Sequence, residues 1–181
     1  MAVETAEIIK ELSLVTNKIS DEKLNDCIKK INQAQRIFVY GTGRSGLMLK
    51  TFAMRLMQLG YISYVIGETI TPSIHNGDLL IVASASGETS SVCQSALQAK
   101  KAGCMVMTIT ANRTSTLCDI EEPLIFIKSA TKYSKSDITI QPLGSLFEQA
   151  LLILFDAIIL RIAKDKVNIN TSMAKKHASI E

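Results

Sequence analysis

Two loops constrain the fold of this chain more than any other feature, because each joins a short apolar run to a helical stretch. The first, Gly41-Thr42-Gly43-Arg44-Ser45-Gly46, follows the run 37–40, and the second, Ser84-Ala85-Ser86-Gly87-Glu88-Thr89, follows the run 79–83. Buried strands that continue through a loop into a helix are typical of parallel α/β sheets. Such loops lie at the carboxyl ends of the strands, where backbone N–H groups and positive helix ends attract an anion. Together the two loops predict a phosphate-binding cleft.

The first loop alone leaves two alternatives open. Its G-x-G-x-x-G spacing matches a dinucleotide-binding motif, and Glu68 follows at about the distance, roughly 20 residues, of a ribose-binding acid. The second loop favours a compact phosphate, because its three hydroxyls at Ser84, Ser86 and Thr89 suit tetrahedral oxygens. The same loop favours a ligand contact for Ser45, whose alternative role is to cap its helix.

Apolar runs and helical stretches alternate along the chain, which predicts a doubly wound α/β fold with a five-stranded parallel sheet. Residues 2–34 have the periodicity of two helices, and Ser20 is placed as the N-cap of the second. Helices are also expected at about residues 45–59 and 89–102, each followed by a glycine, Gly60 or Gly103, in the left-handed conformation. The five strands are expected at residues 37–40, 63–66, 79–83, 105–109 and 124–127.

The length of 181 residues predicts a single domain, with the helices of residues 1–34 before it and a tail of residues 168–181 after it. A helix predicted from Leu143 to about Val167 is apolar around nearly its whole circumference. Such a helix is expected to be buried on all sides, which one small sheet cannot achieve. We therefore expect a homo-oligomer, and specifically a tetramer.

Charge and cysteine spacing narrow the range of partners. The net charge of +3 arises from 20 basic and 17 acidic residues spread along the chain, so nucleic acid is not an expected partner. The four cysteines form no C-x-x-C pair, so neither a metal site nor a disulfide is predicted. The N-terminal residues do not resemble a signal peptide, and no apolar run reaches the length of a membrane span. A cytoplasmic protein without membrane contact is expected.

Glu148 is the best acid–base candidate, because it lies at the start of the predicted helix among apolar residues. A carboxylate in partly apolar surroundings suits a general base that works near neutral pH. The alternative is that Glu148 only favours the helix dipole. Of the two histidines, His75 is expected in a surface turn and His177 in a polar, solvated tail.

Several parts of the sequence resemble the sugar isomerase (SIS) domain family. They are the two loops, the segment Gln141-Pro142-Leu143-Gly144-Ser145-Leu146-Phe147-Glu148 and the tail pattern Met173-x-x-x-His177. Within it they are most similar to the 6-phospho-3-hexuloisomerase branch. The S-x-S-G-x-T loop is specific to the SIS domain, whereas Q-P-x-G-S-L-F-E separates this branch from other sugar isomerases. The resemblance covers essentially the whole chain and implies an SIS-type, flavodoxin-like sandwich.

This resemblance implies an isomerase of the ribulose monophosphate route of formaldehyde fixation, which interconverts D-arabino-hex-3-ulose 6-phosphate and D-fructose 6-phosphate without a metal or organic cofactor. It makes Glu148 the proton acceptor and His177, contributed by a neighbouring subunit, a second catalytic residue. Family tails usually end in Arg-His-Ala-Asn-Leu-Glu, so Ser179 here replaces an asparagine. The substrate-binding residues expected from the loops and the family match are Gly43, Arg44, Ser45, Ser84, Ala85, Ser86, Gly87, Glu88 and Thr89.

Two other functions remain open at this point. One is a non-catalytic SIS module that senses a sugar phosphate, although such modules commonly accompany a DNA-binding domain for which this chain has neither the length nor the charge. The other is the dinucleotide-binding domain suggested by the first loop. The residues present favour the isomerase, because one carboxylate can move a proton between neighbouring carbons through an enediolate. Arg44 is placed to offset the negative charge of that enediolate.

Overall fold

A five-stranded parallel sheet organises the computed structural model, which describes residues 2–131, 139–164 and 166–179. The strand order is β2-β1-β3-β4-β5, and every neighbouring pair is parallel. All five predicted strands are confirmed, with small shifts at their ends. They are β1 (Ile37–Tyr40), β2 (Ser63–Val65), β3 (Leu79–Ser84), β4 (Met105–Thr110) and β5 (Ile125–Phe126).

Seven helices flank the sheet within the described ranges. The two N-terminal helices are confirmed, and Ser20 caps the second by accepting a hydrogen bond from the Lys23 backbone N–H at 3.3 Å. Gly60 ends the third helix with a φ of 101°, in the left-handed conformation that was predicted. The helices are α1 (Val3–Thr16), α2 (Asp21–Gln33), α3 (Gly43–Leu59), α4 (Ser90–Lys101), α5 (Thr116–Ile120), α6 (Ser145–Ala163) and α7 (Ile169–Ala174).

Two of these helices were not predicted from the sequence. The five-residue α5 is too short to show a periodic pattern. The polar tail, expected to be solvated, forms α7, because Ile169 and Met173 pack against the main core while the other α7 residues stay exposed. Ile180 and Glu181, the end of the predicted tail, lie outside the described residues.

Alternate side chains of the strands point to opposite faces of the sheet and build two separate cores. On β3, for example, Leu79 and Ile81 join the larger core, whereas Leu80 and Val82 join the smaller one. The larger core also includes side chains from α1, α2, α3 and α6, and the smaller one includes side chains from α4 and α5. Helices on both faces confirm the doubly wound architecture.

Helix α6 is only partly covered within one chain, in agreement with the expectation that one small sheet cannot bury it on all sides. Its inner face is buried, and Phe155 stacks on Phe52 of α3 with ring centroids 4.3 Å apart. Its outer face exposes two apolar residues seven positions apart, Ile153 (46% exposed) and Leu160 (73% exposed). Residues at this spacing lie on one stripe of a helix. Within the described residues, no helix is long and apolar enough to cross a membrane.

An ion pair with a buried carboxylate ties together the amino-terminal ends of the two central strands. Arg36, just before β1, donates from Nε and Nη2 to the two carboxylate oxygens of Asp78, just before β3, at 2.9 and 2.6 Å. The His75 backbone N–H also donates to Asp78, at 2.7 Å. Burial of Asp78 opposes ionisation, but the hydrogen bonds from Arg36 and His75 outweigh it, so the pKa of this carboxyl lies below its usual value.

We predict that Asp78→Asn lowers the free energy of unfolding by about 2 kcal/mol at pH 7, because it removes hydrogen bonds to a charged, buried acceptor. A depressed folded-state pKa stabilises the fold above the unfolded-state value and loses that effect as pH falls through the folded-state value. The difference from wild type should therefore be equal at pH 7 and pH 5 and shrink below about pH 4. Urea titrations at each pH measure it, with the exposed Glu22→Gln as the control. A difference that grows on acidification contradicts this account.

Candidate active site

An open cleft of about 210 Å³ lies at the carboxyl edge of the sheet, where the loops after β1 and β3 meet. In the strand order 2-1-3-4-5, β1 and β3 flank the point at which the direction of winding reverses, and ligands of doubly wound folds bind there. Both loops singled out in the sequence therefore contribute to one site. Its walls consist of Thr42, Gly43, Arg44, Ser45, Ala83, Ser84, Ala85, Ser86, Thr89, Leu143, Gly144 and Glu148.

Three helices begin at this cleft. Their N-caps are Thr42 for α3, Thr89 for α4 and Gly144 for α6, and all three residues line the walls. In the described structure none of the three caps makes a side-chain hydrogen bond to its own helix. The first-turn N–H groups of a helix have no partner inside the helix and carry its positive end. The positive ends of three helices therefore make this cleft suited to a phosphate.

Hydroxyl groups shape the loop that joins β3 to α4. Ser84 Oγ accepts a hydrogen bond from the Gly87 backbone N–H at 3.1 Å and lies 3.1 Å from Thr89 Oγ1. Ser86 Oγ accepts a hydrogen bond from the Glu88 N–H at 3.2 Å. These bonds hold the loop in a tight turn, with Ser84, Ser86 and Thr89 on the cleft wall. Each hydroxyl has a donor proton and lone pairs, so it can also serve a phosphate oxygen.

Two residues predicted to bind substrate, Gly87 and Glu88, lie outside the cleft wall. Gly87 has a φ of 68° and packs so closely that an added Cβ would lie 2.1 Å from Ser115 Oγ. The Glu88 carboxylate accepts hydrogen bonds from the Thr116 N–H and hydroxyl, at 3.0 and 2.7 Å. These bonds hold the pKa of Glu88 below its usual value. The Glu88 side chain therefore fastens the loop to the start of α5 instead of facing the cleft.

The first loop allows α3 to begin directly against the sheet. An added Cβ on Gly46 would lie 2.4 Å from the Gly41 carbonyl oxygen, so no side chain fits at this position. Ser45 is 8% exposed and lies in the first turn of the helix, whereas Thr42 occupies the N-cap position. The alternative that Ser45 caps α3 is therefore wrong. Its side chain belongs to the cleft wall.

Glu148 lies on the cleft wall with the loops after β1 and β3, in the first turn of α6, and its side chain is 17% exposed. Its surroundings are less apolar than expected, because Arg44 Nε lies 3.2 Å from Glu148 Oε2. Arg44 also donates from Nη1 to Ser145 Oγ at 3.0 Å, which links α3 to the start of α6. A carboxylate, a guanidinium and an anion site thus share one cleft. This set can bind a phosphorylated molecule and move a proton on it.

Glu68, the possible ribose-binding acid, takes no part in the cleft. Its carboxylate pairs with Lys50 Nζ at 2.7 Å, and both side chains are about half exposed. Neither residue lies on the cleft wall. Glu68, whose spacing favoured a dinucleotide site, therefore forms an ion pair on the surface instead.

His177 lies at the far end of the molecule from Glu148 of the same chain. His177 is exposed. The side chain of the neighbouring Lys176 reaches Gly60 at the end of α3, where its Nζ lies 2.7 Å from the position that an added Cβ would take. The cleft is at the other end of α3, a helix of 17 residues, which span about 25 Å. One chain does not bring the two predicted catalytic residues together.

Comparisons with known proteins agree with the motif analysis. The family model described as "SIS domain" matches residues 30–151, more than half of the chain. A Bacillus subtilis (strain 168) protein named 3-hexulose-6-phosphate isomerase is 39% identical over 178 residues, a match that covers 97% of this chain and 96% of that protein. A Mycobacterium gastri protein of the same name is 42% identical over 160 residues, covering 84% of this chain and 80% of that protein.

A solved structure extends this similarity to three dimensions. It is a hypothetical protein from Methanococcus jannaschii whose structure was reported to infer a function of 3-hexulose-6-phosphate isomerase. The two structures have a TM-score of 0.82 and 34% sequence identity, over 99% of this chain and 100% of the other. These matches confirm the resemblance that the loop and α6 motifs indicated.

We predict that Ser86→Ala and Thr89→Val each weaken the binding of inorganic phosphate several-fold, because each removes a hydroxyl from the cleft wall. Calorimetric titration of wild type and variants with phosphate measures the affinity directly. Ser13→Ala, which removes an exposed hydroxyl on α1, is the matched control and should bind as wild type does. Unchanged affinity in both cleft variants would show that the anion binds elsewhere.

Proposed function

We infer that this chain, which belongs to the SIS domain family, is an isomerase that interconverts D-arabino-hex-3-ulose 6-phosphate and D-fructose 6-phosphate. Relatives that match most of its length carry the name 3-hexulose-6-phosphate isomerase. The observation that carries the inference is the position of Glu148, a carboxylate on the wall of a cleft that three helix N-termini make suitable for phosphate. A binding module needs the anion site but has no need of a base.

The reaction moves a carbonyl group between C3 and C2 of the sugar without net oxidation. Glu148 takes the proton from C2, and the electrons of that C–H bond form an enediolate as the C3 carbonyl oxygen becomes negatively charged. A proton moves from the C2 hydroxyl to this oxygen, and Glu148 returns its own proton to C3. The products are a C2 ketone and a C3 hydroxyl, so atoms and electrons balance. One carboxylate on one face of the sugar suffices for both carbon proton transfers.

The phosphate group supplies binding energy away from the reacting carbons. It is held in the cleft by the first-turn N–H groups of α3 and α4 and by four hydroxyl groups, those of Ser45, Ser84, Ser86 and Thr89. This fixes C2 and C3 beside Glu148, so that proton transfer occurs within a bound complex. Arg44, next to Glu148 and half exposed at the cleft, faces the enediolate oxygens and offsets their charge. We place this reaction in the ribulose monophosphate route and in the cytoplasm.

We predict that Glu148→Gln lowers kcat for this isomerisation at least a thousandfold, because the amide retains the shape of the carboxylate but cannot accept the proton. Binding of the sugar phosphate, measured by calorimetry, should stay within about threefold of wild type. Glu22→Gln, an exposed substitution on α2, is the control and should keep full activity. A Glu148→Gln variant that keeps more than a tenth of the wild-type kcat would contradict the assignment of Glu148 as the base, because the barrier would then have changed by less than about 1.4 kcal/mol.

The active form in this proposal is a homo-oligomer, a tetramer, in which His177 serves the cleft of a neighbouring subunit. The exposed apolar stripe of Ile153 and Leu160 on α6 supports association, since burial of this stripe removes apolar surface from water. The distance between His177 and Glu148 within one chain supports a site shared between chains. In the neighbour's cleft, His177 would carry the proton between the two enediolate oxygens.

Mixing of inactive subunits tests the shared site. Glu148→Gln subunits retain a working His177, and His177→Ala subunits retain a working Glu148, so mixed oligomers should regain clefts with both groups. We predict that the mixture recovers roughly a quarter of the wild-type activity, whereas each variant alone has almost none. Sedimentation of the wild type as a monomer, or no recovery after subunit exchange has been verified, would contradict the arrangement.

A further inference from the structure

Glu11 on α1 binds the segment that leads into α6. Its carboxylate accepts three hydrogen bonds, from Thr139 Oγ1 at 2.5 Å, the Ile140 N–H at 2.8 Å and Gln141 Nε2 at 2.9 Å. Gln141 is 9% exposed, so its amide has little access to water as an alternative partner. Burial of Glu11 opposes ionisation, but these hydrogen bonds outweigh it and lower the pKa of its carboxyl. Glu11 is therefore a charged acceptor for three donors of one short segment.

The residues that follow this segment form a wall of the cleft. Leu143 has a φ of 57°, a left-handed conformation that is unfavourable for a non-glycine residue and persists only where neighbouring contacts hold it. The Pro142 carbonyl accepts a hydrogen bond from the Ser145 N–H at 3.2 Å, and the Gly144 carbonyl accepts one from the Glu148 N–H at 3.0 Å. The strained turn thus determines where α6 begins and in which direction Glu148 points.

These contacts connect Glu11 to the chemistry. The segment 139–141 is fixed at α1, the turn 142–144 follows it directly, and Glu148 lies within the next helical turn. Ser145, which follows the strained turn, is also the partner of Arg44. Reacting groups must be held to within about 1 Å, since a misplacement of that size lowers rates by as much as about a hundredfold. Among the described residues, the hydrogen bonds of Glu11 go to residues 139–141 and not to the loop of residues 84–89.

We propose that Glu11 is a positioning residue of the isomerase, which holds residues 139–141 and thereby fixes Glu148 and Ser145 for proton transfer. The proposal rests on the proposed function. It separates two tasks in the molecule: the loops after β1 and β3 bind the phosphate, whereas α1 orients the base. Loss of Glu11 should therefore affect kcat and leave KM nearly unchanged.

Glu11→Ala and Gln141→Glu break the same contact in different ways. The first removes the acceptor, and the second places two carboxylates against each other. Each should lower kcat about tenfold and leave KM within twofold of wild type. The double variant Glu11→Gln/Gln141→Glu exchanges donor and acceptor, so most of the lost kcat should return. Glu7→Ala, an exposed position one turn earlier on α1, is the matched control and should retain wild-type kinetics.

Hydrogen exchange gives a second measurement that does not depend on activity. In Glu11→Ala the amides of residues 143–148 should exchange at least tenfold faster, whereas those of β3 should not change. A kcat equal to that of Glu7→Ala, a loss confined to KM, unchanged exchange at 143–148, or no recovery in the double variant would overturn the proposal. An inactive wild type would instead reject the proposed function, and the exchange rates would still show whether Glu11 holds the turn.

Discussion

The convergence of three helix N-termini at one cleft is the constraint on which the rest of the candidate site depends. Helices α3, α4 and α6 meet at one cleft only because β1 and β3 are neighbours in the sheet and α6 returns across the same edge. Each helix contributes a positive end without a side-chain cap from its own N-cap residue. The same convergence brings Glu148 of α6 to face the loops after β1 and β3. The anion site and the base that we propose are thus consequences of one topology.

The sequence predicted the local part of this arrangement well. A short apolar run followed by glycine and hydroxyl residues marks a strand, a loop and a helix start within about ten positions. All five strands and both loops at the cleft lie where the pattern placed them. The need for glycine at position 46 has a local cause, since a Cβ there would meet the Gly41 carbonyl oxygen. Glu148 was predicted from its position at the start of an apolar helix, and the structure places it on the cleft wall.

Contacts between distant parts of the chain could not be predicted. Glu88 lies in the phosphate-loop motif but turns to Thr116, because α5 begins beside it, and this short helix has no periodic signal. Arg44 meets Glu148 across 104 positions, and Glu11 meets Gln141 across 130, which no spacing rule reveals. His177 illustrates the same limit. Its tail appears solvated by composition, whereas Ile169 and Met173 dock α7 on the core and place His177 far from its own cleft.

The central claim is that this cleft catalyses proton transfer between C2 and C3 of a hexulose 6-phosphate. The most direct test is to follow purified wild-type protein with D-arabino-hex-3-ulose 6-phosphate in deuterated water by proton NMR. The account predicts that D-fructose 6-phosphate appears and that its C3 hydrogen is replaced by deuterium over successive turnovers. Absence of conversion, or conversion that leaves the C3 hydrogen signal intact after many turnovers, would contradict it.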